Sequence, residues 1–300
     1  MERIKLVNDI ELSRLVYGMW RLGDDQDTSS SHVRAKIDAC LSQGISTFDQ
    51  ADIYGDYSSE SILGAALSES PSLRNNMEIV TKCDIMLLSN KFPDRKVKYY
   101  DTSAAHIQAS VEQSLTNMAT DRIDLLLLHR PDPLMDHEET GQALDALVSS
   151  GKVRGIGVSN FMPHDWSLLQ SAMQQPLLTN QLEISLMHNE YLTDGTVAHL
   201  QENGKPPMAW SPLGGGQLFD QNDQNMSTLR LALDHVANEQ NVDIAAVAIA
   251  WLLHHPARLL PVLGTNNIDR IASLADACKV SLTREQWFAL YEAANGHEVP

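Results

Sequence analysis

The chain has 300 residues, 43% hydrophobic and 20% charged, a balance that suits one sizeable core and excludes global disorder. Its 39 acidic and 22 basic residues leave a formal charge of −17, which excludes nucleic acid and anionic lipid as partners held by bulk charge. Cys40, Cys83 and Cys278 lie far apart with no CxxC, and no apolar run approaches the roughly 18 residues of a membrane span, so a cytoplasmic protein with reduced thiols is expected. The opening MERIKLVNDIELSRLVYG carries charges throughout and reads as neither signal nor anchor.

In chain order, short aliphatic runs alternate with amphipathic stretches. Strands are predicted at Leu15–Met19, Ser46–Asp49, Glu78–Lys82, Ile123–His129, Val153–Val158, Leu178–Gln181, Met208–Trp210 and Leu259–Leu263. Helices are predicted between and after them, at Ser31–Ser42, Ser58–Ser68, Ser103–Met118, His137–Ser149, His164–Met173, Thr196–Asn203, Thr228–His254 and Asp269–Ala277. Ser58 and Thr102 are placed to cap helix starts, and Gly44 and Gly151 to end helices. Thr283-Arg284-Glu285-Gln286 has the spacing of a capping box before a last helix through about Ala294.

Eight β-then-α units count to a closed (β/α)8 TIM barrel of class α/β, with the active site at the C-terminal ends of the strands. A doubly wound open sheet is the competing architecture. The first βα turn, Gly18-Met19-Trp20-Arg21-Leu22-Gly23, is not GxGxxG, which weakens that alternative. Residues 1–300 read as one domain, with 1–14 an N-terminal extension or hairpin and 281–300 a closing helix and tail. The non-periodic stretches Met86–Asp101, Arg130–Asp136 and Leu213–Asn225 all follow strands and are expected on the substrate side.

Three of the apolar runs end in polar residues: Asp49, Lys82 and His129. In a barrel these ends converge on one mouth, and a short loop can return Tyr54 over it. A lysine beside a phenol favours the phenolate and lowers the tyrosine pKa, and an aspartate holds the ammonium in place. A tuned tyrosine exchanges a proton with an oxygen, and a neutral histidine orients a carbonyl. Such a set suits carbonyl chemistry in which a cofactor supplies hydride. Singly, each residue also fits a plain structural role, with Asp49 and Lys82 as a buried ion pair.

The succession Asp49-(x)4-Tyr54-Gly55, Val80-Thr81-Lys82, Asp124-Leu-Leu-Leu-Leu-His129 and Gly155-x-Gly157-Val158-Ser159-Asn160-Phe161 resembles the aldo-keto reductases over almost the full chain. His129-Arg130-Pro131-Asp132-Pro133 is most similar to a bacterial oxidoreductase subgroup of poorly assigned substrate. The resemblance implies reduction of aldehydes or ketones with NADPH, with Tyr54 as general acid, Lys82 tuning it, Asp49 pairing with Lys82 and His129 orienting the carbonyl. It implies cofactor contacts from Gly18, Met19 and Trp20. Trp20, Tyr54 and His129 would face the substrate.

Ser159, Asn160 and Gln181 have amide and hydroxyl groups that suit a carboxamide, and in the family these positions hold that of nicotinamide. Trp210 offers a ring face for stacking, ahead of Ser211, Pro212 and Leu213. Gly214, Gly215 and Gly216 let backbone N–H groups approach a pyrophosphate. Gly264, Thr265 and Asn266 precede a helix start that favours phosphate, and Arg270 can pair with a 2′-phosphate, selecting NADP over NAD. Asn266 and Asn267 stand where relatives carry basic residues, so NADH remains an alternative. Tyr57, Met86, Leu87 and Leu88 are candidate pocket walls.

Two other classes compete. A non-catalytic nicotinamide-nucleotide-binding partner or redox sensor would bind the cofactor without turnover. A metal-dependent barrel needs clustered ligands, and His137, His254 and His255 have no partner at metal spacing, so no metal is expected. A small carbonyl compound is the expected partner, and nothing predicts an oligomer.

Overall fold

A computed structural model describes residues 1–7, 9–220, 223 and 226–300. The strands run β1 (Arg3–Val7), β2 (Ile10–Ser13), β3 (Val16–Gly18), β4 (Thr47–Asp49), β5 (Glu78–Cys83), β6 (Ile85–Met86), β7 (Tyr99–Tyr100), β8 (Leu125–Leu128), β9 (Ile156–Ser159), β10 (Leu177–Glu183), β11 (Met208–Trp210) and β12 (Leu260–Leu263). The helices are α1 (Ser30–Leu41), the one-turn α2 (Tyr54–Tyr57), α3 (Ser59–Glu69), α4 (Ala104–Asn117), α5 (His137–Ser149), α6 (Pro163–Ser171), α7 (Thr196–Glu202), α8 (Ser227–Gln240), α9 (Ile244–Leu253), α10 (Ile268–Ile271) and α11 (Arg284–Asn295). Eight parallel strands close into a barrel in the order β3-β4-β5-β8-β9-β10-β11-β12, with β12 returning to pair with β3. The eight predicted strands are these eight, each within a few residues.

Strand periodicity explains both the core and the site. Successive side chains point to opposite faces. Val80, Leu125, Leu127, Leu178, Met208 and Leu260 point inward and pack on one another, while Phe48, Ile79, Leu126 and Val158 point outward under the helices. The antiparallel β1–β2 hairpin closes the barrel floor, inserting Ile4, Leu6, Ile10 and Leu12 into the inner cluster. Asp49, Lys82, His129 and Trp210 each lie two residues beyond an inward-facing position (Thr47, Val80, Leu127 and Met208). They therefore form the next inward layer, at the C-terminal mouth.

Several helix boundaries differ from the sequence expectation. The single helix expected over Thr228–His254 is two. Asn241 takes a left-handed conformation (φ 53°) that ends α8, and the Asp243 carboxylate accepts the Ala245 N–H to start α9. The helix expected at Asp269–Ala277 is the four-residue α10 followed by a 3-10 turn. Ser103 rather than Thr102 caps α4, and the Thr102 hydroxyl donates to Asp132. Ser58 makes no cap bond and donates to the Gly55 carbonyl instead. The capping box of Thr283 and Gln286 forms as expected, and Gly44 and Gly151 end their helices at φ 80° and 77°.

The stretch after Lys82 is a folded flap: β6 and β7 pair within it. Part of the loop expected at Leu213–Asn225, namely Gln221, Asn222, Gln224 and Asn225, lies outside the described residues. Among the described residues no helix is long and apolar enough to cross a membrane.

Candidate active site

The four residues expected at the mouth are brought together. The Lys82 ammonium donates to both Asp49 carboxylate oxygens at 2.7 Å, to the Gln50 carbonyl at 2.8 Å and to the Tyr54 hydroxyl at 3.0 Å. The lysine side chain is wholly buried, and Asp49 is nearly so. A charge taken out of water is stable only when its donors are met, and here each ammonium hydrogen has an acceptor. The Tyr54 and His129 rings meet edge to face, with centroids 6.0 Å apart. Tyr54 reaches this place because the turn behind it runs through Gly55, Asp56 and Tyr57 at φ 58°, 51° and 63°. Three consecutive left-handed residues reverse the chain in one step.

Burial governs the titration of the site. Removal from water pushes Lys82 down, and Asp49 pulls it back up. Burial, reinforced by the Asp49 charge, holds the Tyr54 phenol well above its ordinary range. This is opposite to the lowering that Lys82 alone would produce, and it keeps the phenol protonated. Burial holds His129 well below its usual range, with Lys82, Arg130 and Lys98 acting in the same sense, so the imidazole is neutral at physiological pH.

A second set sits beside the first. Gln181 donates from Nε2 to Asp49 Oδ1 at 2.8 Å, joining the two. The Ser159 hydroxyl donates to the Gln181 carbonyl (2.9 Å), Asn160 Nδ2 donates to Ser159 Oγ (2.8 Å), and the Trp210 indole N–H donates to Asn160 Oδ1 (3.1 Å). Asn160 takes φ 59°, a conformation asparagine tolerates better than most residues. The chain of bonds locks the Trp210 ring next to three amide or hydroxyl side chains. A flat aromatic ring carrying a carboxamide is the kind of group such a wall accepts.

Gly215 and Gly216 are left-handed (φ 65° and 107°) and open: an added Cβ would meet nothing within 4 Å. Arg21 reaches across the mouth and donates to the Gly215 carbonyl at 2.9 Å, tying the loop after β3 to the loop after β11. Ser211 is also left-handed (φ 50°), and its carbonyl accepts the Gly214 N–H at 2.8 Å. Pro212 is buried and Leu213 packs on the core. Gly18 leaves room for Val262, which a Cβ would meet at 2.9 Å.

Other expected residues have different surroundings. The Met19 side chain is buried in the core. Trp20 is 58% exposed at the rim, under the Arg21 guanidinium. Asn266 turns inward: its amide donates to the Arg21 carbonyl at 2.6 Å and accepts from Lys36 at 3.1 Å. Lys36 is wholly buried and paired with Asp25. Gly264 is exposed, and the Thr265 carbonyl accepts the Tyr17 hydroxyl at 2.8 Å. Asn267, not a free helix end, satisfies the Arg270 N–H (2.9 Å), and the Arg270 guanidinium is exposed with no ion pair among the described residues. Tyr57 is a pin for the flap: its hydroxyl accepts from the Leu87 N–H (3.0 Å) and from Arg95 (2.7 Å). Met86 is buried, Leu87 half-buried and Leu88 exposed.

Four residues not singled out from the sequence belong to the mouth. Arg130 lies 5.8 Å from the Trp210 ring centre, and its charge acts on both Tyr54 and His129. Lys98, on the flap, acts on His129. Arg130 follows His129 directly and so had to lie near the mouth. Lys98 arrives through the pairing of β6 with β7, which leaves no periodic signal. Asp52, half-buried with its Oδ1 out of reach of water, and Asp84, wholly buried, carry carboxyls held well above the carboxylate range by burial. Among the described residues no group of three His, Cys, Asp or Glu side chains is placed to hold a metal.

A closed parallel barrel with a charged, polar layer at its C-terminal mouth defines a barrel enzyme. The chain belongs to the aldo/keto reductase family, whose model matches residues 14–295. It is 58% identical over 299 residues, all of both chains, to 6-dehydroglucose reductase of Agrobacterium fabrum. It is 46% identical to oxidoreductase YdhF of Escherichia coli over 291 residues, covering 97% of this chain and 96% of that one. The fold matches an aldo/keto reductase from Klebsiella pneumoniae in complex with NADP and acetate, with a TM-score of 0.75, 25% identity, and coverage of 97% of this chain and 93% of that one. It also matches the glycerol dehydrogenase of Gluconobacter oxydans at a TM-score of 0.86, with 24% identity and 98% and 95% coverage. The family uses nicotinamide cofactors, and this chain is an NAD(P)H-dependent reductase.

Proposed function

We propose that the protein reduces the carbonyl of a hydroxylated, sugar-derived aldehyde to an alcohol, with NADPH as hydride donor and Tyr54 as proton donor. The observation that carries this is the Lys82 ammonium, fixed by Asp49 and the Gln50 carbonyl and donating to a phenol that stays protonated. When bound, the nicotinamide supplies hydride to the carbonyl carbon. Ser159, Asn160 and Gln181 would hold its carboxamide, and Trp210 would support its ring. Gly214, Gly215 and Gly216 would receive the pyrophosphate, and Arg270 would pair with the 2′-phosphate.

As negative charge grows on the carbonyl oxygen, the Tyr54 hydroxyl transfers its proton to it. The ammonium at 3.0 Å stabilises the phenolate left behind. Neutral His129 donates a hydrogen bond to the same oxygen and aims it. Arg130 and Lys98 add donors for hydroxyl groups at the mouth, which suits a sugar-derived aldehyde such as the one in the name of the Agrobacterium relative, 6-dehydroglucose reductase. We take residues 1–300 as one working unit. Cys40 and Cys83 are buried free thiols, which suits the reducing cytoplasm.

Steady-state kinetics with 6-dehydroglucose and a panel of simple aldehydes test the reading. Tyr54→Phe is expected to lower kcat by about 10²–10⁴ while the protein still quenches on NADPH titration. Arg270→Ala is expected to weaken NADPH about tenfold and leave NADH unchanged. Tight NADPH binding without turnover on any carbonyl would leave a nucleotide-binding partner or sensor, and no binding of either nucleotide would end the reading.

A further inference from the structure

Residues 87–98 form the tip of the flap that follows β5. β6 and β7 close its base, with Ile85 beside Tyr100 and Met86 beside Tyr99. Continued one step, that antiparallel register sets Leu87 opposite Lys98. Inside the tip the bonds are those of short turns: the Phe92 and Arg95 N–H groups donate to the Ser89 and Phe92 carbonyls at 3.0 and 3.1 Å. Leu88, Phe92 and Val97 are exposed, so burial does little to hold the tip in place.

One cluster holds it instead. Arg95 Nη1 donates to the Tyr57 hydroxyl at 2.7 Å and to the Leu87 carbonyl at 3.3 Å. The same hydroxyl accepts the Leu87 N–H at 3.0 Å. The guanidinium lies over the Phe92 ring, 3.7 Å from its centre, and Phe92 meets Tyr57 edge to face at 4.9 Å. Lys91 adds a bond to the Asp56 carbonyl. Among the described residues, every hydrogen bond from the tip to the rest of the molecule ends on Asp56 or Tyr57.

The dependence runs one way. The turn that carries Tyr54 has bonds of its own: the Tyr54 N–H to the Ala51 carbonyl (3.1 Å), the Ser58 N–H to the Tyr54 carbonyl (3.0 Å) and the Ser58 hydroxyl to the Gly55 carbonyl (2.6 Å). Lys82 fixes the Tyr54 hydroxyl from the barrel side. The left-handed conformation of Tyr57 is costly for a bulky residue and persists only where the surroundings impose it. That step turns the Tyr57 ring away from the mouth residues and onto the flap, where its hydroxyl meets two donors.

We propose that Arg95 is a positioning residue for substrate selection, clamping the flap tip onto Tyr57 and so keeping Leu87 and Lys98 at the mouth, where a hydroxylated aldehyde meets them and a short aldehyde does not reach. This rests on the reductase reading and on Lys98 as a donor to substrate hydroxyls. A protein whose flap is closed for only part of the time binds in proportion to that fraction. Loss of the clamp therefore raises KM for substrates that need the flap and spares hydride transfer itself.

The test uses the full-length protein with saturating NADPH, and compares 6-dehydroglucose with propanal. Arg95→Met keeps most of the side chain's apolar stem and removes its donors. It is expected to raise KM for 6-dehydroglucose about tenfold with kcat within about twofold, and to leave kcat/KM for propanal and KM for NADPH unchanged. Tyr57→Phe keeps the ring and removes the acceptor. It should give the same rise in KM for 6-dehydroglucose, and the double variant should rise no further, because both changes open one clamp. Hydrogen exchange should quicken over residues 87–98 in Arg95→Met and stay as in wild type over 51–58. An equal loss on both aldehydes would make Arg95 a prop for Tyr54. An unchanged KM for 6-dehydroglucose, unchanged exchange in the tip, or additive single variants would show that the flap does not depend on it. Each of these overturns the proposal. Failure of the reductase reading looks different: wild type then reduces neither aldehyde, whatever the exchange shows.

Discussion

The barrel buries charge at both ends, and the two ends treat it differently. At the floor, Asp124 accepts from Arg74 (2.7 Å), from the Ile79 N–H (2.9 Å) and from Arg154 (2.9 Å), and the remaining Arg74 donors go to Thr120 and to the Met77 and Arg122 carbonyls. Every group there has its partner. At the mouth Lys82 is equally well met, yet Asp52 Oδ1, Asp84 Oδ1, Gln50 Oε1 and His129 Nδ1 are buried without one. Buried polar groups kept short of partners, with titrations pushed far from their usual ranges, gather at functional sites more than in plain architecture, and four such atoms lie at the mouth.

Substitutions at the two ends should therefore separate activity from stability. Lys82→Met is expected to have the largest effect, because it removes both: kcat should fall by about 10²–10⁴, and the stranded Asp49 should lower stability by roughly 3–5 kcal/mol in denaturant titration. Asp124→Asn should cost about 3 kcal/mol by the same measurement and leave kcat per folded molecule unchanged. A loss of kcat there would erase the distinction between floor and mouth.

A smaller effect distinguishes the ends by pH. Because burial lowers the His129 pKa in the folded protein, the unfolded chain takes up that proton first as the pH falls. The stability tied to a neutral His129 is complete above about pH 6.5 and drains away below it, by up to about 1.4 kcal/mol per pH unit. His129→Gln should flatten that part of the Tm–pH curve, and an unchanged slope would mean the ring takes its proton without penalty. The smallest effect belongs to neither end: Arg34→Ala breaks an exposed i,i+4 pair with Asp38 and should change stability by less than about 0.5 kcal/mol.

The barrel was legible because its evidence is local. Each strand is a short apolar run, and Asp49, Lys82 and His129 stand at run ends, where period-two alternation alone turns them inward. What the sequence hid depends on distance or on competition. The Asn266 side chain accepts from Lys36, 230 positions away, a contact that no local pattern announces. Lys82 argues for a lowered Tyr54, and burial in the folded barrel, with the Asp49 charge, reverses the direction. The break at Asn241 sits inside an unbroken helical pattern, and β6 and β7 are too short to carry a period. Arg95 has no signature beyond standing in a polar loop, since its bonds to Tyr57 and Leu87 exist only in three dimensions.

The pairing of β12 with β3 has one more consequence. Val262 lies beside Val16, and the Arg14 guanidinium donates to the carbonyls of Leu253 and Leu259, so the seam of the barrel joins the two ends of the chain. A nascent polypeptide that has left the ribosome as far as β11 already carries Asp49, Tyr54, Lys82 and His129, but it holds them on an open sheet with two bare edges. Loop closure over some 240 residues must then precede a working mouth, which favours slow maturation and reliance on chaperones while those edges wait.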